Sequence, residues 1–287
     1  GIINVLKPPG MTSHDVVNVI RRLTGVRRTG HTGTLDPGAA GVLPVCVGKA
    51  TRISEYVLQM DKSYRAELSL GRATDTEDAA GKTILEAPVP PLTMNDLVDV
   101  LQEFQGESSQ IPPMYSAVKI GGKKLYELAR QGQVIERESR NITIYQIKLL
   151  DAYQQCVLFD VTCSRGTYVR TLCREIAERL GTVGHMSFLL RTHVGPFHIQ
   201  EAWTFEELAA KQEAGSLQET LLPLDTAIKH LSKIIVTEEQ SIHVKNGKAI
   251  PLDAAGDDGQ RVRLYDASGN FLAIASIDQE KIKPEKV

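Results

Sequence analysis

The sequence predicts an α/β fold, and three observations carry that expectation. Residues 64–70 alternate, with Tyr64, Ala66, Leu68 and Leu70 toward one side and Arg65, Glu67 and Ser69 toward the other. That period marks a half-buried strand. Two stretches place apolar residues at helical spacing: Val16, Val17, Ile20 and Leu23, then Val169, Leu172, Cys173, Ile176 and Leu180. Near the C-terminus, 261–265 and 271–277 flank the turn Asp266-Ala267-Ser268-Gly269-Asn270, which has the residues a hairpin wants.

Taken in chain order, Ser13 opens the first helix and Gly25 stops it. After the basic pair Arg27-Arg28, the run 29–41 is too rich in Gly and Pro for regular structure, and 42–47 reads as a short strand. Residues 71–91 read as an acidic loop punctuated by Pro88, Pro90 and Pro91. Thr93 caps a helix with the stripe Leu97, Val100, Leu101 and Phe104, ended by Gly106. A loop is expected over 107–118, around Pro112-Pro113, then a basic block over 119–140 with an amphipathic piece near 125–129. Strands follow at about 141–150 and 156–163, and Thr167 leads the second strong helix up to Gly181. Thr204 with Glu207, and Thr237 with Gln240, form capping boxes on either side of a connector over 221–231. Beyond Gly247 the texture turns to β, and a domain boundary is expected near 232.

A chain of 287 residues, 42% of them hydrophobic, can bury one large core and a small second one. No run of about 18 apolar residues occurs, so no membrane span is expected. The opening Gly1-Ile2-Ile3-Asn4 lacks the basic and apolar regions of a secretory signal, and a cytoplasmic location is the expectation. Cys46, Cys156, Cys163 and Cys173 form no C-x-x-C pair, and the seven His form no ligand cluster. Core cysteines and no metal are therefore expected. The formal charge of −2 is segregated: +5 over 1–72, −7 over 73–118, +4 over 119–148, +1 over 149–200 and −5 over 201–287. Two positive blocks on one face would hold a polyanion; a solvated patchwork accounts for the charge equally well.

The run Gly30-His31-Thr32-Gly33-Thr34-Leu35-Asp36-Pro37-Gly38-Ala39-Ala40-Gly41 holds four glycines and a single carboxylate. A lone Asp in a turn usually only caps its own backbone. Phosphate cradles do not fit. From Gly41 to Gly48-Lys49 there are six intervening residues where a Walker loop has four, and the glycine spacing is not a dinucleotide fingerprint. What is left is a carboxylate on a preorganised loop.

The same run, from Arg28 to Pro37 and on through Gly41-Val42-Leu43-Pro44, resembles the catalytic motif of TruB-type pseudouridine synthases. Four more stretches are similar to motifs of that family, in its order. They are Leu6-Lys7-Pro8-Pro9-Gly10-Met11-Thr12-Ser13, Lys62-Ser63-Tyr64-Arg65-Ala66, the pair 112–119 and 122–130, and Cys163-Ser164-Arg165-Gly166-Thr167-Tyr168-Val169-Arg170-Thr171. Ala40 departs from the pattern, standing where many members carry Thr. The resemblance implies a mixed, largely antiparallel central sheet with flanking helices in a catalytic domain over 1–231. A tRNA-gripping insertion would span about 107–140, and a small β-rich, PUA-like RNA-binding domain 232–287. It also implies isomerisation of a T-loop uridine of tRNA to pseudouridine, with the nucleotide flipped out of its stack. Atoms are conserved in that reaction, so no cofactor is required.

Carried onto this chain, the catalytic residues would be Asp36, as nucleophile or base, Arg170 as its cation and Tyr64 stacked on the uracil. His31 would contact the opened T-loop, and Tyr168 and Leu190 would line the pocket. Lys7, Arg27, Arg28, Lys119, Lys123, Lys124 and Arg130 would contact phosphates. The expected partner is the T-stem-loop of tRNA, with no membrane, no metal and a monomeric protein. On pattern alone, Tyr64 is an ordinary strand aromatic and Arg170 a surface residue in a helix's first turn. Three rival readings differ in function: a non-catalytic RNA-binding or ribosome-assembly factor, a metal-dependent phosphotransferase or hydrolase, and an enzyme of ribosomal RNA.

Overall fold

The computed structural model describes residues 1–116, 119–120, 122–133, 135–252 and 257–287. Its first third lays down β1 (Ile2–Lys7), α1 (Ser13–Thr24), β2 (Thr29–His31), β3 (Ala40–Val47), α2 (Ser54–Gln59) and β4 (Lys62–Leu70). A small hairpin, β5 (Arg72–Thr74) and β6 (Thr83–Glu86), precedes α3 (Met94–Glu103) and β7 (Gly106–Gln110). The excursion from 111 to 139 contains β8 (Lys119–Ile120), β9 (Lys123–Lys124) and α4 (Leu125–Arg130). It returns into β10 (Arg140–Tyr153) and β11 (Cys156–Cys163), followed by α5 (Val169–Arg179), β12 (Gly184–Val194), β13 (Phe197–His198) and α6 (Phe205–Glu213).

These strands build one mixed sheet in the order β1-β3-β12-β4-β11-β10-β7, with β2 paired to β3 and β13 to β12. Every neighbour along that path is antiparallel except β12 against β3. The mixed, largely antiparallel α/β architecture expected from the family resemblance is the one found. α5 lays Val169, Leu172, Cys173 and Ile176 onto the face formed by Ala66, Leu68, Val157 and Phe159. α1 covers Ile3, Val5, Leu43 and Val45 with Val16, Val17 and Ile20. β3 is apolar nearly throughout because both its faces are covered: Val42 and Cys46 pack instead against Val57, Val194, Phe197 and Ile228. Burying a side chain of this size contributes roughly 1.5–3 kcal/mol, which makes these contacts the main source of stability.

The C-terminal β-rich domain consists of β14 (Ser232–Ile235), α7 (Glu238–Lys245), β15 (Ile250–Pro251), β16 (Arg261–Tyr265), β17 (Phe271–Asp278) and β18 (Lys281–Lys286). Its sheet order is β14-β16-β17-β18-β15. Arg263 Nε donates to the Leu231 carbonyl at 2.9 Å, and the Tyr265 hydroxyl donates to Asp225, tying the domain to the preceding connector.

Several sequence expectations need correction. Only 32–39 of the Gly-rich run is irregular, because Thr29–His31 pairs with Val45–Val47 as β2. Within 71–91, the acidic stretch forms the β5–β6 hairpin. Residues 106–110 are strand β7, whose polar Gly106-Glu107-Ser108-Ser109-Gln110 gives no apolar alternation. The cap of α1 is Thr12 in a reciprocal pair with Asp15, and α5 begins after Tyr168 with no side-chain cap; Thr167 donates to the Ser164 carbonyl instead. The pattern reading passed over β12, although it lies between β3 and β4 at the centre of the sheet. Its register slips between Met186 and Phe188 and again between Arg191 and His193, so its period of two is broken twice.

Candidate active site

Asp36 sits in the irregular segment between β2 and β3, and a dense set of long-range bonds holds that segment in place. Ser13 donates to the Leu35 carbonyl at 3.0 Å and accepts from the Leu35 amide at 2.9 Å. Lys7, at 0% exposure, gives its ammonium to the carbonyls of Pro8, Pro37 and Ala39 at 2.9, 3.2 and 2.6 Å. Arg191, at 1% exposure, donates from β12 to the carbonyls of Val42 at 2.8 Å, Gly33 at 3.1 Å and Thr34 at 3.5 Å. The backbone around the carboxylate is thus fixed from both flanks by cations whose acceptors are main-chain oxygens. Ser13→Ala would leave the Leu35 amide and carbonyl unpaired in a buried place. It should cost about 1–3 kcal/mol, read as a lower denaturant midpoint at unchanged slope.

The Asp36 carboxylate remains 36% exposed while its cation does not: Arg170 is 5% exposed, and its Nε lies 2.9 Å from Asp36 Oδ2. The other two nitrogens of the guanidinium donate to the carbonyls of Thr76 at 3.0 Å and Tyr115 at 2.8 Å, so the fork cannot turn away. Asp78 lies 4.0 Å from the same guanidinium. Burial pushes the Asp36 carboxyl above its ordinary range. Arg170 pulls it down, Asp78 pushes it up and Lys7 pulls it down, in that order of weight. Tyr64 is buried on β4 with Arg191 as its register partner on β12. Burial raises its phenol, while Arg191 opposes the rise.

The structure therefore brings Asp36 and Arg170 together, with Tyr64 in the same core cluster as Leu35 and Ala39 beneath the loop. His31 lies half-buried on β2, and its Nδ1 has no hydrogen-bond partner among the described residues. Burial lowers its pKa, with Arg191 and His14 adding to the effect. Tyr168 is half-buried at the start of α5, and Leu190 half-buried on β12 opposite Ala40. Arg27 and Arg28 are exposed, Arg28 donating to Thr51 at 2.6 Å. Lys7 is a correction. Expected among the phosphate contacts, it is sealed inside, and burial lowers its pKa to about 8. The side chains of Lys119, Lys123, Lys124 and Arg130 lie outside the described residues.

Sequence reasoning missed Arg191 and Asp78. The signal for Arg191 was present: a guanidinium at the end of the apolar run Phe188-Leu189-Leu190 is expensive to bury unless something inside requires it. Among the described residues, no group of three or more His, Cys, Asp and Glu is arranged to hold a metal ion, and no helix is long and apolar enough to cross a membrane. The four cysteines are free.

A half-exposed carboxylate, held by a buried cation on a loop that is otherwise immobilised, is the arrangement of an enzyme active site. The model of the TruB family pseudouridylate synthase N-terminal domain matches residues 21–169. The tRNA pseudouridylate synthase B C-terminal domain matches 170–229, and the Pseudouridine synthase II TruB C-terminal model matches 232–287. The chain is 52% identical over 250 residues to tRNA pseudouridine synthase B of Alkaliphilus oremlandii, covering 87% of this chain and 82% of that one. It is 47% identical over 289 residues to tRNA pseudouridine synthase B of Caldanaerobacter subterraneus, covering 100% and 98%. A chain in the crystal structure of a Cbf5-Nop10-Gar1 complex superposes with a TM-score of 0.79 at 30% identity, covering 100% of this chain and 84% of that one. The chain belongs to the TruB family of pseudouridylate synthases.

Proposed function

We propose that this chain isomerises a uridine in the T-loop of tRNA to pseudouridine, with Asp36 as the catalytic carboxylate. The observation that carries this reading is the Asp36–Arg170 pair, 2.9 Å apart, with the carboxylate open to solvent and the guanidinium closed. Relatives named for tRNA pseudouridine synthesis support the substrate class. The N1–C1′ bond of the uridine breaks, the uracil turns, and C5 bonds to C1′. The proton leaving C5 is balanced by one gained at N1, so no atom is lost overall. Asp36 acts as an anion, either adding to the sugar or removing a ribose proton. Arg170 offsets the cost of keeping that anion in a pocket closed by RNA. The uracil stacks on Tyr64, which repays part of the few kcal/mol lost on unstacking. His31 meets the opened T-loop, and Tyr168 and Leu190 line the pocket. The gripping insertion, expected over 107–140, is narrowed to the excursion 111–139 because 107–110 and Arg140 are sheet residues, and 232–287 is a PUA-like RNA-binding module.

The direct test is incubation with unmodified tRNA and mapping of pseudouridine by carbodiimide and primer extension. A single new stop in the T-loop is expected, and an isolated T-stem-loop should serve as substrate. Conversion confined to another arm would overturn the assignment of the target.

Arg27 and Arg28 are exposed in the turn between α1 and β2. Removing one phosphate contact should lower the salt slope of tRNA binding by about one unit. Arg27→Ala and Arg28→Ala are each expected to do so, measured as binding constant against salt concentration. A slope equal to wild type in both would take these residues out of the interface.

A further inference from the structure

Gln110 is a buried amide that the reaction outlined above leaves without a role. It is 2% exposed and ends β7. Its register partner is Arg140, the first residue of β10, so this pair is the last rung of the sheet before the chain leaves for the excursion 111–139. Its side chain bonds twice to one residue, Nε2 donating to the Tyr168 carbonyl at 3.2 Å and Oε1 accepting from the Tyr168 amide at 2.8 Å, and the amide also bonds the Glu175 carboxylate on α5. Tyr168 is the N-cap residue of α5, and α5 has no side-chain cap of its own. Gln110 therefore fixes the backbone from which that helix starts, two residues before Arg170. The same excursion reaches the guanidinium a second time, through the Tyr115 carbonyl 2.8 Å from Arg170 Nη2.

We infer that Gln110 is a positioning residue that ties the root of the 111–139 excursion to the start of α5 and so holds the Arg170 guanidinium on Asp36. The inference rests on the function proposed above. Under it, the segment that meets the RNA stem and the side chain that orients the carboxylate share one buried amide. The Asp36–Arg170 pair is already closed at 2.9 Å, and the shared amide keeps it closed when RNA loads the excursion. The amide acts through geometry alone, since it carries no charge and reaches no reacting atom.

Gln110→Met keeps the length and apolar volume of the side chain and removes its hydrogen bonds. Steady-state kinetics on tRNA should show kcat falling about tenfold or more, as for a small misplacement of a catalytic group, while KM stays within about twofold. A melting curve taken alongside establishes that the variant is folded at the assay temperature. Should Met prove unstable there, Gln110→Glu keeps the acceptor for the Tyr168 amide but turns a carboxylate oxygen toward the Tyr168 carbonyl and Glu175, and it too is expected to lower kcat. A folded variant with wild-type kcat overturns the inference. So does a rise confined to KM, which would make Gln110 part of the RNA grip alone. A wild-type protein that converts no uridine would remove the underlying function, and the inference with it, before any variant is compared.

Discussion

Asp36→Asn should leave a folded protein that binds tRNA and forms pseudouridine at least about 10³-fold more slowly than wild type. The amide keeps the shape of the carboxylate and still accepts a hydrogen bond from Arg170 Nε, but it can neither add to the sugar nor take a proton. Stability should move the other way. Burial raises the Asp36 pKa above its ordinary value of 3.8, so the folded state binds that proton more tightly than the unfolded one. A raised carboxylate contributes stability below its unfolded pKa and loses it as pH climbs through the folded value. At neutral pH the anion is thus a net cost that Arg170 and Lys7 only partly offset, and the Asn protein should melt at or above the wild-type temperature. The same shift sets the acid limb of the rate profile. Because the anion is the active form, kcat/KM should decline as pH falls toward the raised value, earlier than for an ordinary carboxylate. A kcat/KM profile from about pH 4 to pH 8 on a T-stem-loop, with melting curves of both proteins, checks all three points. Residual conversion by the Asn protein near the wild-type rate would end the assignment of Asp36.

How much of this site could be read beforehand depends on how its parts are encoded. Asp36 and Arg170 stand in local motifs, and the strand of Tyr64 announces itself by alternation, so residues within ten positions of one another sufficed. The expected helices were found because each buries one stripe, as Val169, Leu172, Cys173 and Ile176 do. The loop's anchoring was not legible, because its acceptors are main-chain carbonyls, which leave no mark on the sequence. Arg191 reaches back to Val42 across 149 positions, and nothing local to either residue reports that contact. Lys7 illustrates the opposite error. Beside Pro8-Pro9-Gly10 it looks like a surface cation, yet it closes the buried strand β1 and points inward at the same loop. Buried cations paired with backbone oxygens look like solvent-facing ones until the partner strand is known. β12, which carries Arg191, was hidden by its own two register slips.

That dependence on β12 makes Gly41→Ala the substitution with the largest expected effect on the fold. β3 and β12 run parallel through only two paired positions, Ala40 with Leu190 and Gly41 with Arg191. Gly41 has φ +117°, a conformation that side chains rarely adopt. A Cβ placed there would lie 2.6 Å from the Arg191 amide nitrogen and 2.9 Å from its carbonyl carbon, and would collide with the carbonyl oxygen. These are backbone atoms of a central strand that is also paired to β4, so they cannot yield without breaking a second ladder. Moving them would also drag away the guanidinium that holds Gly33, Thr34 and Val42. A loss of about 3–5 kcal/mol is expected, a large share of the about 5–15 kcal/mol that holds a whole domain. Gly38→Ala is the matched comparison. It lies three residues earlier, in the loop that leads into β3, has no heavy atom within 4 Å of an added Cβ, and should change stability by no more than about 0.5 kcal/mol. Urea denaturation of the two proteins separates close packing from a general intolerance of the loop. If both variants unfold at the wild-type midpoint, β3 does not press on β12 at Gly41, and Asp36 must be held by other means.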